Sequence, residues 1–311
     1  MQSKQHKNLE HSFLLLLGMF VLLLTLGYLF AGLIGMLLTA LFGVITFFVT
    51  PRYSPRLILS MYKAQELSYS NAPELYKMLI QLSEKAQLEH IPILYYLPSQ
   101  ILNSFTLGEK ENACIVLSDG LIRNLDGREM YGVLAHEVSH LLNNDIRVMS
   151  FADVISRLTA MMSLFGYFLL IIYLPIYMLE GANFPWALIL LLIIAPNLSG
   201  LMQLALSRTR EFEADQKAVQ LTEDALGLAS ALGKLEGLQS NWLMQILLPH
   251  HQRTDPSILR THPSTDERIQ RLLKIAEEQN QQVISFENHL PNRPLKSKLT
   301  RPRRRFHGLW Y

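Results

Sequence analysis

Long uninterrupted apolar stretches dominate the pattern of hydrophobic and polar positions along the chain. No charged residue occurs in Phe13–Val49, and two further apolar stretches follow at Leu158–Leu179 and Trp186–Leu206. One transmembrane helix needs about 20 residues, and the core of a signal peptide has only about 7–15. The first stretch therefore predicts two membrane spans that turn near Gly32–Gly35, with one long tilted helix as the alternative. The later two stretches predict a second hairpin, broken by the segment EGANFP.

Basic residues flank these stretches on one side only. The loop between the later two spans contains Glu180 and no Lys or Arg, whereas the other flanks are basic. Because the cytoplasmic flanks of membrane spans carry an excess of Lys and Arg, both polar segments of the chain are predicted to face the cytoplasm. The flanking basic residues are Lys4, Lys7, Arg52, Arg56, Lys63, Arg147, Arg157, Arg208 and Arg210.

In the polar segments, apolar and polar residues alternate at the spacings typical of helices and strands in a folded domain. NAPELYKMLIQLSEKAQL has the spacing of an amphipathic helix, with Asn71 as its expected N-cap. GEKEN interrupts a stretch rich in Ile, Leu and Val, which predicts a hairpin between strands near Ile101–Thr106 and Ala113–Leu117. The next helix should begin after Asp126, because Glu129 stands where the partner of a capping box would be.

Composition supports a membrane protein and excludes one class of partner. Charged residues make up 17% of the 311 residues and hydrophobic residues 50%, whereas ordinary soluble domains have about 25% charged residues. A net charge of +2 gives no indication of nucleic-acid binding. The single cysteine, Cys114, cannot form an intramolecular disulfide, which is consistent with a reducing compartment.

The segment YGVLAHEVSHLL places two histidines and a glutamate on a helix that is otherwise mostly apolar. His136 and His140 are four residues apart, so their side chains share one helix face, as two ligands of a tetrahedral zinc ion must. Glu137 lies beside that face and can reach a metal-bound water. A buried histidine pair without a ligand would leave polar nitrogens unsatisfied. The pattern therefore predicts a peptidase with one Zn²⁺ per chain.

A third ligand must come from elsewhere, because a catalytic zinc has three protein ligands and keeps one position for water. SRTREFEADQKA offers three carboxylates where the chain leaves its last predicted span. Glu211 and Asp215 share a helix face, so Glu211 can bind the metal while Asp215 hydrogen-bonds a ligand histidine. Glu213 lies roughly 200° around the helix from Glu211. It is the alternative ligand; otherwise its replacement should change little.

Four segments, in chain order, resemble motifs of the integral-membrane zinc metallopeptidases of the HtpX and CAAX prenyl protease type, which are gluzincins. LNSFTLG resembles the edge strand of that family, and HEVSHLLNND resembles its zinc helix. SRTREFEAD resembles its Glu-x-x-x-Asp motif, and THPSTDERIQRL resembles the start of its His-Pro helix. The four matches span Asn103 to Leu272.

The resemblance implies roles for individual residues. It implies the zinc ligands His136, His140 and Glu211. Glu137 matches the general base, and His262 matches a histidine that stabilises the oxyanion. Arg268 matches an arginine that pairs with the position of Asp215.

The same resemblance implies a binding site for substrate. Asn103, Ser104 and Phe105 match the edge strand along which an extended peptide backbone is bound. Ser104 departs from the family pattern, which usually has alanine at this position.

The sequence as a whole predicts a mainly α membrane protein with a small β element, built from two transmembrane hairpins and a gluzincin-like zinc peptidase domain. The predicted divisions are an N-terminal hairpin (1–50), a first peptidase segment with the edge strand and zinc helix (51–157), a second hairpin (158–206), a second peptidase segment with the third ligand and the His-Pro helix (207–280), and a basic disordered tail (281–311).

The predicted function is that of a multi-pass zinc endopeptidase in a bacterial inner membrane, with its catalytic domain in the cytoplasm. The resemblance implies polypeptide substrates, in particular unfolded or misassembled membrane proteins, and the lipid bilayer as the other partner. Two alternatives remain at this point. A CAAX-type protease would process prenylated proteins, and a membrane scaffold would bind no zinc and cleave nothing.

Overall fold

The computed structural model describes residues 2–49, 55–180, 186–239 and 265–279, and within them the chain is mainly helical with one small sheet. The helices are α1 (Gln2–Val49), α2 (Pro55–Met61), α3 (Pro73–Lys85), α4 (Asp119–Asn124), α5 (Gly127–Leu142), α6 (Asp145–Glu180), α7 (Trp186–Thr222), α8 (Ala225–Gln239) and α9 (Thr265–Glu278). The strands are β1 (Gln65–Glu66), β2 (Ile93–Leu97), β3 (Ser104–Leu107) and β4 (Cys114–Ser118). The predicted fold class is confirmed. The predicted tail, 281–311, lies outside the described residues.

Two predicted helix starts have different outcomes. α5 begins as predicted, because the Asp126 side chain accepts a hydrogen bond from the Glu129 amide at 2.9 Å and the Glu129 carboxylate accepts one from the Asp126 amide, also at 2.9 Å. The prediction of Asn71 as the N-cap of α3 is wrong. The N-cap is Ala72, which makes no side-chain capping hydrogen bond. Pro73 follows it at the start of the helix, where its missing N–H needs no partner.

The apolar N-terminal stretch folds back on itself. α1 loses helical geometry at Ala31 (φ −144°, ψ 29°) and Gly32 (φ 60°, ψ −145°). Beyond this break the two arms come into contact, since a Cβ built on Gly35 would lie 2.1 Å from the carbonyl oxygen of Gly27. These residues would be about 12 Å apart in a straight helix. The turn falls at the glycines where the sequence predicts it.

Three helices, α1, α6 and α7, are long and apolar enough to cross a membrane. Their outer faces expose large apolar side chains, for example Ile171 at 69% and Leu179 at 86% exposure. Such a surface needs an apolar surrounding, which a bilayer provides. Their inner faces pack together around Met19, Leu23, Ala152, Ile155 and Leu206.

The four strands form a mixed sheet in the order β1-β2-β4-β3. β4 pairs with β2 in parallel and with β3 antiparallel, with Ser104 opposite Leu117, which confirms the predicted hairpin. Side chains alternate between two apolar clusters along β4: Leu117 packs into the main core with α3 and α5, and Val116 packs with Leu59 of α2 on the opposite face. β3 lies at one edge of the sheet, so in the described part of the chain it pairs with a strand on one side only.

α5 lies at the centre of the main core. Its apolar residues Met130, Leu134 and Val138 are fully buried against α3, α7 and α8. α8 approaches closely at Gly132, where an added Cβ would lie 3.2 Å from the Leu228 backbone. Because the helix is surrounded, each polar side chain on it needs a partner inside the protein.

We expect Gly32→Val to destabilise the N-terminal hairpin. A positive φ of 60° disfavours a β-branched residue, and such backbone strain costs about 1–3 kcal/mol. Gly200→Val is the matched control, because Gly200 is helical and an added Cβ meets nothing within 4 Å. Thermal unfolding of the detergent-solubilised variants measures the difference. A lower midpoint for Gly200→Val than for Gly32→Val would contradict this account of the turn.

Candidate metal centre

Two histidines on α5 point their imidazoles at one another. The His136 and His140 Nε2 atoms are 3.1 Å apart, and the rings meet edge to face with centroids 4.6 Å apart. The four-residue spacing on a regular helix produces this geometry, since the residues lie one above the other on the same face. His136 is buried and His140 half-buried.

The third donor comes from α7. The Glu211 carboxylate lies 3.3 Å from His136 Nε2 and 3.8 Å from His140 Nε2. Among the described residues, one group of histidine and acidic side chains could hold a metal ion, and it consists of these three, with donor atoms within 4.8 Å of one another. The structure thus brings together the three residues predicted as zinc ligands.

The donor set fits a zinc ion in composition and spacing. Two imidazole nitrogens and one carboxylate are the protein ligands of many catalytic zinc sites. Donors at about 2.0–2.1 Å from a tetrahedral zinc would be about 3.3–3.5 Å apart. The observed separations of 3.1, 3.3 and 3.8 Å lie around this range.

A carboxylate contacts the Nδ1 atom of each histidine. Asp215 of α7 lies 3.0 Å from His136 Nδ1, and Asp145 at the start of α6 lies 2.8 Å from His140 Nδ1. A carboxylate on Nδ1 orients the ring and directs Nε2 towards the metal position. Each imidazole is therefore placed by its own helix and by a neighbouring one.

Arg268 of α9 contacts two of the acidic residues at the site. Its guanidinium donates two hydrogen bonds to Asp215, at 2.6 and 2.7 Å, and its Nη1 lies 2.8 Å from Glu211. The predicted pairing with Asp215 is present in the structure, and Arg268 reaches Glu211 as well. All three side chains are buried, at 4–5% exposure.

The electrostatic field of the site favours a cation. Burial and the Arg268 charge favour the neutral form of His136, but hydrogen bonds with Asp215 and Glu211 outweigh them and raise its pKa to about 9. The pKa of His140 is also raised: burial and the neighbouring His136 oppose protonation, and Asp145 and Glu211 more than compensate. Carboxylates that hold a proton on an imidazole also attract a metal ion.

Glu137 points to the sheet. Its carboxylate accepts hydrogen bonds from the hydroxyls of Ser104 at 2.6 Å and Thr106 at 2.7 Å, both on β3. The residue predicted as general base therefore lies between the histidine pair and the predicted substrate-binding strand.

The other predicted substrate-binding residues lie along the same strand or beside it. Asn103 precedes β3, and its backbone N–H donates to Ser118 Oγ at 3.0 Å. The Phe105 side chain is buried on the opposite face of the sheet, 5.8 Å from the Tyr62 ring. Phe105 could thus meet a peptide only through its backbone. His262 lies outside the described residues, so its role in oxyanion stabilisation stays a prediction.

The sequence predicts that replacement of Glu213 changes little, but the structure places this residue in a buried ion pair. It lies outside the metal-binding group, but it is buried, 3.3 Å from Arg210 Nη1. The same Arg210 atom is 3.4 Å from Asp145, which holds His140. Replacement of Glu213 would therefore disturb a buried ion-pair network, and the expectation of a small effect is not supported.

Asp145 is the residue that the sequence reasoning missed. It follows His140 by five residues, beyond the end of α5, so no helical spacing connects the two. A tight turn brings it back, with Asn144 at a positive φ of 54°. The signal in the sequence is the pair Asn143 and Asn144, three and four residues after His140, followed by an acid at the start of an apolar helix.

Comparison with known proteins gives this arrangement a class, that of the membrane-embedded metallopeptidases. The profile of peptidase family M48 matches residues 70–276, which include strands β2 to β4, helix α5, α7 beyond its apolar part, and most of α9. The chain belongs to peptidase family M48, and it is a metalloprotease.

Its relatives include proteins described as protease HtpX homologs. One from Burkholderia ambifaria is 32% identical over 287 residues, which cover 85% of this chain and 95% of the relative. One from Ralstonia pickettii is 31% identical over 281 residues, 86% of this chain and 96% of the relative. Among solved structures, S. mikatae Ste24p matches with 19% identity and a TM-score of 0.41, over 87% of this chain and 65% of that one.

We expect Asp145→Asn to weaken metal binding about 10- to 100-fold, as loss of a carboxylate partner of a ligand histidine typically does. The amide keeps the size but loses the charge that orients His140. Asp153→Asn is the control, since Asp153 pairs with Arg157 one turn along the same helix. Competition with a chromogenic zinc chelator gives both affinities. Equal affinities would mean that Asp145 does not orient a ligand.

Proposed function

We propose that this protein is a zinc-dependent endopeptidase that cleaves unfolded or misassembled membrane proteins at the cytoplasmic face of a bacterial inner membrane. The observation that carries the proposal is the position of Glu137. It lies next in sequence to His136, one of the three donors of the metal-binding group, and its carboxylate contacts the edge strand. A metal, a base and a surface for extended backbone are the parts that peptide hydrolysis requires.

His136, His140 and Glu211 would hold the zinc ion. When bound, zinc lowers the pKa of a coordinated water to about 7 and polarises the scissile carbonyl. Glu137 accepts the proton of the attacking water at a carboxylate oxygen and afterwards delivers it to the leaving amine. Asp145 and Asp215 hold the ligand imidazoles in position. His262 is proposed to donate to the developing oxyanion.

In the described part of the chain, the outer edge of β3 pairs with no strand, which supports an extended substrate. A peptide that adds there as a further strand forms backbone hydrogen bonds with that edge, and its carbonyls then run past Glu137. Folded segments keep their backbone groups paired internally. The site should therefore favour unfolded or flexible chain segments.

The membrane helices support substrates at the bilayer surface. α7 continues from its apolar part directly into the segment that carries Glu211, and α6 begins at Asp145, five residues after His140. Both connections keep the metal group close to the predicted end of the membrane spans. Membrane proteins that have failed to assemble expose flexible segments in this zone.

Two glutamates with different proposed roles test the mechanism. Glu137→Gln should keep zinc and lose nearly all hydrolysis, because an amide of the same shape cannot accept the proton. Glu211→Gln should lose zinc as well as activity, since a neutral amide oxygen is a poor ligand. Zinc content of the purified protein and chelator-sensitive cleavage of casein measure both.

Glu84→Gln is the matched control, because Glu84 is an exposed residue of α3 and does not belong to the metal-binding group. It should retain both zinc and activity. A Glu137→Gln variant that cleaves at the parental rate would overturn the mechanism. Preferential cleavage of a prenylated CaaX peptide over casein would instead move the substrate class to prenylated proteins.

A labelling experiment tests the proposed orientation. Cys114 is buried at 3% exposure, so background labelling should be low. In intact cells, a membrane-impermeant maleimide should label Ala182→Cys, in the loop between the later two spans. It should label Glu84→Cys only after the cells are permeabilised. Labelling of Glu84→Cys in intact cells would show that the peptidase domain faces outwards.

A further inference from the structure

Two hydroxyl side chains on β3 face the same way. Ser104 and Thr106 are two residues apart on a strand, so both point to one side of the sheet, and Phe105 between them points to the other. Phe105 is buried there with Leu97 and Val116. Because Phe105 is packed on the face away from α5, the Ser104 and Thr106 hydroxyls on the other face point towards α5.

Each hydroxyl contacts a different oxygen of the same carboxylate. Ser104 Oγ lies 2.6 Å from Glu137 Oε1, and Thr106 Oγ1 lies 2.7 Å from Glu137 Oε2. A carboxylate can accept about four hydrogen bonds, so both oxygens retain a lone pair for a water molecule. Two donors on separate oxygens fix the rotation of the carboxylate as well as its position.

The strand that carries these donors is itself held firmly. β3 pairs with β4 from Ser104 to Leu107, and the Asn103 amide donates to Ser118 Oγ. Glu137 is fixed at its other end by the buried helix α5. The carboxylate therefore spans two rigid elements, the zinc helix and the edge strand.

We propose that Ser104 and Thr106 are positioning residues that hold the Glu137 carboxylate on the edge strand, so that the strand that aligns the peptide also aligns the base. This inference rests on the proposed function. A glutamate side chain has three rotatable bonds, and holding it in one rotamer beforehand removes an entropic cost from the proton transfer.

Paired substitutions separate the hydroxyl from the shape of each side chain. Ser104→Ala and Thr106→Val remove the hydroxyls, whereas Ser104→Thr and Thr106→Ser keep them. We expect kcat to fall roughly tenfold in each hydroxyl-lacking variant, by loss of one hydrogen bond to a charged group. KM for a fluorogenic peptide should change less than about twofold, and zinc content should stay at the parental value. At each position, the hydroxyl-keeping variant should lose clearly less kcat than the hydroxyl-lacking variant.

A double-mutant cycle provides a readout independent of activity. The thermal midpoint of metal-free protein is measured for Ser104→Ala, Glu137→Ala and the double variant. If the hydroxyl acts through Glu137, Ser104→Ala should lower the midpoint in the parent and have little effect in the Glu137→Ala background. Additive effects would show that Ser104 merely supports the sheet, and would overturn the proposal.

Two kinetic outcomes would also overturn it: parental kcat in both hydroxyl-lacking variants, or an equal loss of kcat in Ser104→Ala and Ser104→Thr. Failure of the proposed function would look different, because the parent protein itself would then show no chelator-sensitive cleavage.

Discussion

The structure of the site depends on buried charges that must be paired. Arg268, Asp215, Glu211 and His136 are almost fully enclosed, and they come from three different helices. An unpaired charge in such surroundings costs several kcal/mol, and removal of one partner from a buried pair typically costs about 3–5 kcal/mol. α9, α7 and α5 are therefore held in one mutual arrangement. The arrangement that satisfies the charges is also the one that gathers the donor atoms.

The same requirement links the peptidase domain to the membrane helices. Asp145 is the first residue of α6, and it contacts both His140 and Arg210. Near it, Arg147 pairs with Glu109, which follows the edge strand. The start of one apolar helix thus contacts His140 of the metal-binding group and the turn that follows β3. Polar contacts of α6 thus reach both the metal-binding group and the sheet.

The sequence predicts the parts of the site that follow from regular spacing. The four-residue intervals between His136 and His140, and between Glu211 and Asp215, specify shared helix faces, and the structure has both pairs in those positions. The prediction fails where the chain reverses. Asp145 reaches His140 only through a turn at Asn144, and the hydroxyls of β3 reach Glu137 only because sheet and helix pack together. Burial of Glu213 likewise depends on tertiary contacts that one helical period cannot reveal.

The long helix α7 has a mechanical consequence. It runs from Trp186 to Thr222 with Pro196 inside it, so one helix carries both an exposed apolar surface and Glu211 of the metal-binding group. The segment from Pro196 to Glu211 is about 20 Å long, so a change in its tilt of about 5° displaces the carboxylate by roughly 2 Å. Helices adjust their tilt to bilayer thickness. The position of the metal-binding group is thus mechanically coupled to the apolar part of α7.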